Sequence, residues 1–365
     1  MILLVRCDTL NSRERVEIAL SFEQPDGPPV FATFVPEVDA RIRSQFGIDG
    51  HDLGTALGND TVKACAGLET SFYGGPEPEY VCPWGIRWRW IANRFGRFTE
   101  IVSSPLAGST DKLRGYEIPD PNDESHYDSF RRISKLYGDS KWLIGSCQIS
   151  IFEASWYLRG LDQLMMDMIT EPDYVHALMD KVMQFPLTVG RRYAEMGADM
   201  VWFGDDVAMQ TGMMLSLAMW REFLKPRYAT LFAEVKRANP RVKIAYHSCG
   251  NCEPILDEMV EIGLDVINPI QPLAMEPSLI KQRYGRRLAL FGGVDVQRLL
   301  PAGSAQDVRA EVSRLAEVCG AGGGYILAPA HHIQADTPTA NITAFYKAAL
   351  PVPASRTEAR HEIEV

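Results

Sequence analysis

The chain of 365 residues carries a net charge of −10, and 46% of its residues are hydrophobic, as in ordinary globular proteins. Without a basic run interleaved with aromatic residues, this balance argues against nucleic acid or an anionic membrane as a partner. Charged residues interrupt every apolar stretch before the roughly 18 residues that a membrane span needs. Seven scattered cysteines make no disulfide framework, and the apolar start is too short for a signal peptide, so we expect reduced thiols in the cytoplasm.

The N-terminal third has one clear signal, a capped helix. Asn11 can cap it, and Glu14 lies three residues later, as a capping box requires. Residues 28–120 are irregular and contain many Pro, Gly and Trp residues, so they either cover one face of the fold or form a small subdomain. At the other end, residues 351–365 are polar and are predicted to be a flexible tail.

The second half alternates short apolar runs with amphipathic helical patterns. Each run is typical of a strand buried on both faces, and the alternation predicts a parallel sheet with helical crossovers. The six runs begin at Trp142, Met200, Val242, Val266, Leu288 and Tyr325.

Polar residues at the strand ends favour a closed barrel over an open sheet. In an open doubly wound sheet, two or three strands at one switch point would carry most of them. Here five successive strands are followed by polar side chains, namely Asp205-Asp206, His247, Gln271, Asp295 and His331. We therefore predict one (β/α)8 TIM barrel domain over residues 1–350 with an irregular N-terminal extension. No glycine-rich phosphate loop supports a nucleotide cofactor.

The segment His247-Ser248-Cys249 carries the sharpest chemical signal. In an extended segment, residues i and i+2 point the same way, so His247 and Cys249 can share one zinc ion at a strand end. A lone His-x-Cys is a weak motif, and its place after a buried strand strengthens it. Cys252 is interpreted as structural.

Two neighbouring histidines, His331 and His332, follow the last apolar run. Either they belong to a hydrogen-bond network and the surface, or one of them is a third zinc ligand. Because adjacent extended residues point in opposite directions, both are not expected to bind the same ion.

Acidic and amide side chains complete the predicted site. Asp205 and Asp206 are candidates for a general acid, a fourth metal ligand or a substrate contact, with a solvated loop as the alternative. Gly292-Gly293 would let a substrate approach the backbone closely. A glycosidase site built on two acids would leave the histidines and Cys249 unexplained. The predicted substrate contacts are Gln210, Gln271, Asp295, Gln297 and His332.

The chain resembles the uroporphyrinogen decarboxylase superfamily over nearly its whole length. The matching motifs occur in the expected order: Phe203-Gly-Asp-Asp, Gln210-Thr-Gly, Pro226-Arg, Tyr246-His-Ser-Cys-Gly-Asn, Asn268-Pro-Ile-Gln-Pro, Phe291-Gly-Gly-Val-Asp and Gly323-Gly-Tyr-Ile-Leu-Ala-Pro-Ala-His. The resemblance implies a (β/α)8 barrel. True uroporphyrinogen decarboxylases have an Arg-Gln-Ala-Gly-Arg stretch that grips substrate carboxylates, and Phe34–Arg41 lacks it here.

In its site residues the chain is most similar to the methylcobamide:coenzyme M methyltransferase branch, which has a zinc site of His-x-Cys and a later Cys. His247 and Cys249 match the first two ligands, and His331 stands where that branch has its second Cys. The resemblance therefore implies zinc on His247, Cys249 and His331. His332 is then expected to contact the substrate.

One thiolate fewer leaves zinc a stronger Lewis acid, which suits an ether or hydroxyl oxygen better than a thiol. We expect demethylation of a small methoxylated or methylated substrate, with a corrinoid on a separate partner protein as the methyl acceptor. The alternatives are a cofactor-free decarboxylase of another carboxylate, tetrapyrrole or not, and a non-catalytic binding protein on an enzyme scaffold. The sequence leaves the oligomeric state open, a homodimer included.

Overall fold

The computed structural model describes residues 10–50, 52–72, 78–94 and 96–349. The predicted tail, 351–365, lies outside the described residues. The twelve strands are β1 Thr61–Cys65, β2 Glu79–Val81, β3 Arg87–Asn93, β4 Gly96–Ser103, β5 Trp142–Gln148, β6 Met200–Gly204, β7 Ala208–Met209, β8 Gly212–Met213, β9 Lys243–His247, β10 Val266–Ile270, β11 Ala289–Val294 and β12 Tyr325–Pro329.

The α-helices of the same described ranges are α1 Ser12–Leu20, α2 Pro36–Phe46, α3 Leu53–Leu57, α4 Lys112–Gly115, α5 Asp128–Tyr137, α6 Phe152–Arg159, α7 Leu161–Thr170, α8 Pro172–Glu195, α9 Leu217–Met219, α10 Lys225–Ala238, α11 Leu256–Glu261, α12 Pro277–Tyr284, α13 Leu299–Ala302, α14 Ala305–Val318 and α15 Thr339–Ala349. Short 3-10 turns occupy Leu68–Ser71, Glu124–Tyr127 and Glu253–Ile255. The predicted cap of α1 is confirmed, because Asn11 and Glu14 form a capping box. None of the described helices is long and apolar enough to cross a membrane.

Seven strands form one sheet in the order β1-β5-β6-β9-β10-β11-β12. The pairs β5–β6, β6–β9, β9–β10 and β11–β12 are parallel. Every residue of β6, β10, β11 and β12 is buried, which explains why their sequences are apolar without alternation. All six strands predicted from apolar runs are confirmed, and the chain has the α/β fold that they imply.

The chain divides into two compact units. The second unit contains the described residues of Lys63–Gly138 and Leu143–Asn268. In it, Phe203 of β6 stacks on Phe232 of α10 with ring centroids 6.1 Å apart, on the face of the sheet opposite to His247. Gly190 of α8 makes room for this packing, because a Cβ there would lie 2.6 Å from the Phe203 ring.

The first unit contains the described residues of Met1–Val62, Asp139–Trp142 and Pro269–Val365. Within it, the segment 29–35 runs parallel to β12: the Phe31 amide donates to the Leu327 carbonyl at 3.1 Å. On its other side, the Asp60 amide donates to the Val30 carbonyl at 2.7 Å. This segment therefore bridges β12 and the residue that precedes β1.

Residues 28–120 contain more regular structure than their sequence indicates. They supply β1, a strand of the main sheet, and a separate antiparallel sheet in the order β2-β3-β4. The separate antiparallel sheet lies within the segment that was expected either to cover one face of the fold or to form a small subdomain. Polar Lys63 and Cys65 interrupt the apolar run of β1, so it lacks the continuous hydrophobic signal of the other buried strands.

Candidate metal centre

His247 is the last residue of β9, and its imidazole is held by the neighbouring strand. The parallel register places Asn268 of β10 beside it, and His247 Nδ1 lies 2.7 Å from Asn268 Oδ1. When Nδ1 donates to this oxygen, Nε2 keeps its lone pair free for a ligand bond. The residue is only 6% exposed, and burial lowers its pKa, which favours the neutral imidazole that a metal binds.

Cys249 follows two residues later and points to the same place. Its Sγ lies 3.6 Å from His247 Nε2. Its backbone amide donates to Asp206 Oδ1 at 2.7 Å, which fixes the loop after β9. Burial, with the Asp206 carboxylate as the next contribution, raises the pKa of the Cys249 thiol.

His331 lies two residues beyond β12 and is exposed. His247 Nε2 and Cys249 Sγ, which belong to the same compact unit, offer a nitrogen and a sulfur to one metal ion, and the role of His331 as a third ligand stays a prediction. An imidazole nitrogen and a thiol sulfur are donors that zinc takes in proteins. The donor set therefore fits zinc.

Asp205 is a buried positioning residue. Its carboxylate accepts backbone hydrogen bonds from Ser150, Ile151 and Glu153 at 2.9 to 3.1 Å and a further hydrogen bond from the Tyr228 hydroxyl. Burial raises its pKa to about 6, although the Tyr228 hydroxyl and the amides oppose the shift. With its oxygens bound to the start of α6, Asp205 orders the loop before that helix.

Asp206 points the other way, toward the ligand pair. Its Oδ1 lies 3.7 Å from His247 Nε2, and its side chain is 39% exposed. Its backbone amide donates to Glu153 Oε2 at 3.0 Å, and Glu153 is buried. Burial, followed by the charges of Asp206 and Asp205, raises the pKa of the Glu153 carboxyl. The sequence analysis missed Glu153, because it lies on α6 rather than at a predicted strand end.

The five predicted substrate contacts are spread over several loops. Gln210 is exposed in the turn between β7 and β8, and His332 is exposed beside His331. Asp295 Oδ1 accepts from the Gln297 amide at 2.7 Å and so closes a turn after β11. Gln271 is half-buried after β10, where its carbonyl accepts from two following amides. Their substrate role stays a prediction.

Two further sequence interpretations concern packing. Cys252 is fully buried, which agrees with the structural role expected of it. Gly292 has φ +130, and a Cβ there would lie 2.8 Å from the Ile270 backbone nitrogen. The close approach predicted at Gly292-Gly293 is therefore made by the neighbouring strand β10.

Comparisons with known proteins place these residues in a family. Residues 99–350 match the Uroporphyrinogen decarboxylase (URO-D) family. The Methylated-thiol–coenzyme M methyltransferase of Methanosarcina mazei is 24% identical over 209 residues, which are 56% of this chain and 52% of that protein. Uroporphyrinogen decarboxylase 2, chloroplastic, of Arabidopsis thaliana is 23% identical over 255 residues, 68% of this chain and 62% of that protein. The chain thus spans about half the length of the first relative and less than two thirds of the second.

A solved structure agrees with the fold. A methyltransferase from Methanosarcina mazei superposes with a TM-score of 0.72 at 20% identity, covering 93% of this chain and 98% of that one. The relatives are methyltransferases and decarboxylases, and both are enzymes. Since the family match covers more than half of the chain, the protein belongs to the uroporphyrinogen decarboxylase (URO-D) family.

Proposed function

We propose that the protein is a zinc-dependent methyltransferase that demethylates a small methoxylated or methylated substrate. The observation that carries this proposal is the paired geometry of His247 and Cys249, with Nε2 3.6 Å from Sγ and Nδ1 held by Asn268. His331 would supply the third ligand. A methyltransferase among the relatives supports methyl transfer as the reaction class.

The ligand set suggests which atom of the substrate is activated. Zinc on two imidazoles and one thiolate is a stronger Lewis acid than zinc on two thiolates, and it would polarise an ether or hydroxyl oxygen. Asn268 keeps His247 in the ligating tautomer. The Asp206 carboxylate accepts a hydrogen bond from the Cys249 backbone amide and so fixes the loop that carries Cys249. These contacts orient the ligands before a metal arrives.

The methyl transfer also requires an acceptor. We propose a reduced corrinoid on a separate protein. The methyl carbon–oxygen bond of the substrate would break, the methyl group would bond to the reduced cobalt, and the oxygen would leave with a proton. The product is then the hydroxyl compound.

The fold that would carry this site is a closed (β/α)8 barrel. Support comes from the seven-stranded sheet with its parallel pairs and from the segment 29–35, which hydrogen bonds to β12 on one side and to Asp60 on the other. That segment would be the eighth strand.

A methyl-transfer assay tests the proposal. The zinc-loaded chain is mixed with cob(I)alamin and a panel of methoxylated compounds, and formation of methylcobalamin is followed by its absorbance. We expect methylation with at least one compound and its loss in His247→Ala. Glu234→Gln, a change on α10 that only affects the ion pair with Arg237, serves as the control and should keep full activity. Absence of methylation across the panel contradicts the proposal.

The second candidate is a decarboxylase, which the decarboxylases among the relatives favour. The buried Glu153 carboxyl beside Asp206 has a raised pKa and would be the proton donor in such a reaction. Release of carbon dioxide from a carboxylate substrate by the metal-free chain would support it over methyl transfer.

A further inference from the structure

A second polar cluster lies at the end of β1. Lys63 and Cys65 are two residues apart on this strand, so their side chains lie on one face. Glu69 follows on a 3-10 turn, and Lys63 Nζ lies 3.6 Å from Glu69 Oε2. The Lys63 and Glu69 side chains are only 12% and 10% exposed. The proposed methyl transfer assigns no role to this buried ion pair.

The cluster is joined to the candidate metal centre by Trp202 of β6. The Lys63 ammonium lies 5.3 Å from the centroid of the indole ring. The same indole stacks on the His247 imidazole, with centroids 6.2 Å apart and planes inclined by 29°. Lys63 and His247 therefore both contact one indole, that of Trp202.

Two buried polar atoms of this region have no hydrogen-bond partner within the described ranges. They are Glu69 Oε1, on the carboxylate paired with Lys63, and Ser146 Oγ on β5. Ser146 is in register with Trp202, so its side chain lies on the face of the sheet that carries the indole. Because buried polar groups are normally hydrogen bonded, these two atoms indicate a polar ligand.

Charge decides what kind of polar ligand fits. Glu69 already neutralises Lys63, so the cluster offers no net positive charge to a carboxylate, and Glu69 would repel one. A hydroxyl group can donate to Glu69 Oε1 and accept from Lys63 or Ser146 at the same time. The cluster therefore favours a neutral group that both donates and accepts hydrogen bonds.

We propose that Lys63, Glu69 and Ser146 form a hydroxyl-recognition subsite, which selects methylated substrates that also carry a hydroxyl group. The inference deepens the proposed function, because it takes the methylated substrate from there. It adds a substrate class: hydroxylated methoxy compounds, in preference to carboxylated ones.

Ligand binding tests the subsite without any turnover. Isothermal titration calorimetry compares three probes of similar size: 2-methoxyphenol, methoxybenzene and 2-methoxybenzoate. The wild-type chain should bind 2-methoxyphenol about five-fold or more tightly than either of the other two, the range that a few buried hydrogen bonds provide. Equal affinity for 2-methoxyphenol and methoxybenzene, or no binding of 2-methoxyphenol, overturns the proposal.

Variants assign the preference to the cluster. In Glu69→Gln the Lys63 charge is no longer neutralised, so the affinity ratio should shift about ten-fold toward 2-methoxybenzoate. Ser146→Ala should lower the preference for 2-methoxyphenol and leave the affinity for methoxybenzene unchanged. Glu234→Gln on α10 should bind all three probes as the wild type does, and melting temperatures verify that each variant is folded. An unchanged ratio in Glu69→Gln contradicts the assignment.

One further variant separates this inference from the proposed function. His247→Ala removes a proposed zinc ligand and leaves the cluster intact. If the hydroxyl preference persists in this variant, the subsite exists whether or not the chain binds zinc or transfers methyl groups. If the preference is lost in folded, metal-free protein, the recognition belongs to the metal centre and the subsite is wrong.

Discussion

His247 Nδ1 lies 2.7 Å from Asn268 Oδ1, and this hydrogen bond determines which nitrogen of the imidazole is available. It follows from the parallel pairing of β9 and β10, in which His247 and Asn268 are partners in register. The other ring nitrogen, Nε2, lies 3.6 Å from Cys249 Sγ. The sheet itself thus orients the first proposed ligand toward the second.

Removing the orienting amide should weaken metal binding. In Asn268→Ala the imidazole loses the partner that fixes its tautomer, and we expect zinc affinity to fall by about 10- to 100-fold. Competition with a coloured chelator measures the affinity. Asn122→Ala, on an exposed loop, is the matched control and should bind zinc as the wild type does. An unchanged affinity in Asn268→Ala would show that this hydrogen bond does not support a ligand.

Zinc binding should depend on pH through Cys249. Burial and the Asp206 carboxylate raise the pKa of this thiol, so it is protonated in the metal-free chain at pH 7 to 8.5. Binding must displace its proton, and the zinc association constant should therefore rise about ten-fold for each unit of pH. Titration calorimetry in two buffers of different ionisation enthalpy counts the released protons.

The second cysteine of this loop, Cys252, provides the control for that measurement. Burial also raises the pKa of the Cys252 thiol, to about 12, and this residue is not a proposed ligand. Cys252→Ser should keep the pH dependence, whereas Cys249→Ser should lose both the proton release and most of the affinity. Loss of proton release and affinity in Cys252→Ser but not in Cys249→Ser would show that Cys252, and not Cys249, is the ligand.

Adding a single methyl group at Gly250, as in Gly250→Ala, should destabilise the fold. Gly250 has φ +82, and a Cβ would lie 2.6 Å from the Met209 carbonyl oxygen, so alanine is both strained and obstructed. We expect Gly250→Ala to lose about 2 to 4 kcal/mol of unfolding free energy and to weaken zinc binding, because the Cys249 loop must move. Gly108 has φ +88 with open space around it, and Gly108→Ala should lose only about 1 kcal/mol. Similar losses in the two variants would show that Met209 does not constrain the loop.

The first unit contains a buried charge cluster on which its stability should depend. Arg15 is fully buried and pairs with Asp60 at 2.9 Å and Asp26 at 2.6 Å, and Asp60 also accepts the Val30 amide. Arg15→Met would leave the Asp60 charge buried without a partner, and we expect a loss of about 3 to 5 kcal/mol in denaturant unfolding at neutral pH. Asp39→Ala, which breaks the partly exposed pair with Arg43, should cost less than about 1 kcal/mol. A small loss in Arg15→Met would contradict the importance of this cluster.

The sequence predicted the six apolar strands well because a strand buried on both faces has a continuous hydrophobic run. It did not predict β1, whose polar Lys63 and Cys65 interrupt that run. The sequence marked Asp205 and Asp206 together as candidates at a strand end, but it did not indicate which of them is buried. That assignment depends on the start of α6, where backbone amides surround Asp205.

The candidate metal centre was predictable because its first two residues are close in sequence. Glu153 was not predictable because its partner Asp206 is far away in sequence. His247 ends β9 and Cys249 lies two residues later, so the pair can be recognised from a local pattern in the sequence. Glu153 is distant in sequence from Asp206, and only the folded chain brings its carboxylate to the Asp206 amide. The contact of Lys63 with Trp202 is likewise made only in the folded chain.

Metal content tests the central claim most directly. The purified chain, loaded with zinc and freed of excess metal, is analysed by plasma mass spectrometry beside His247→Ala and Cys249→Ser. We predict one zinc ion per chain in the wild type and a large loss in both variants, each of which should remain folded. A wild-type chain that retains no zinc, or variants that retain it fully, would contradict the assignment of His247 and Cys249 as metal ligands.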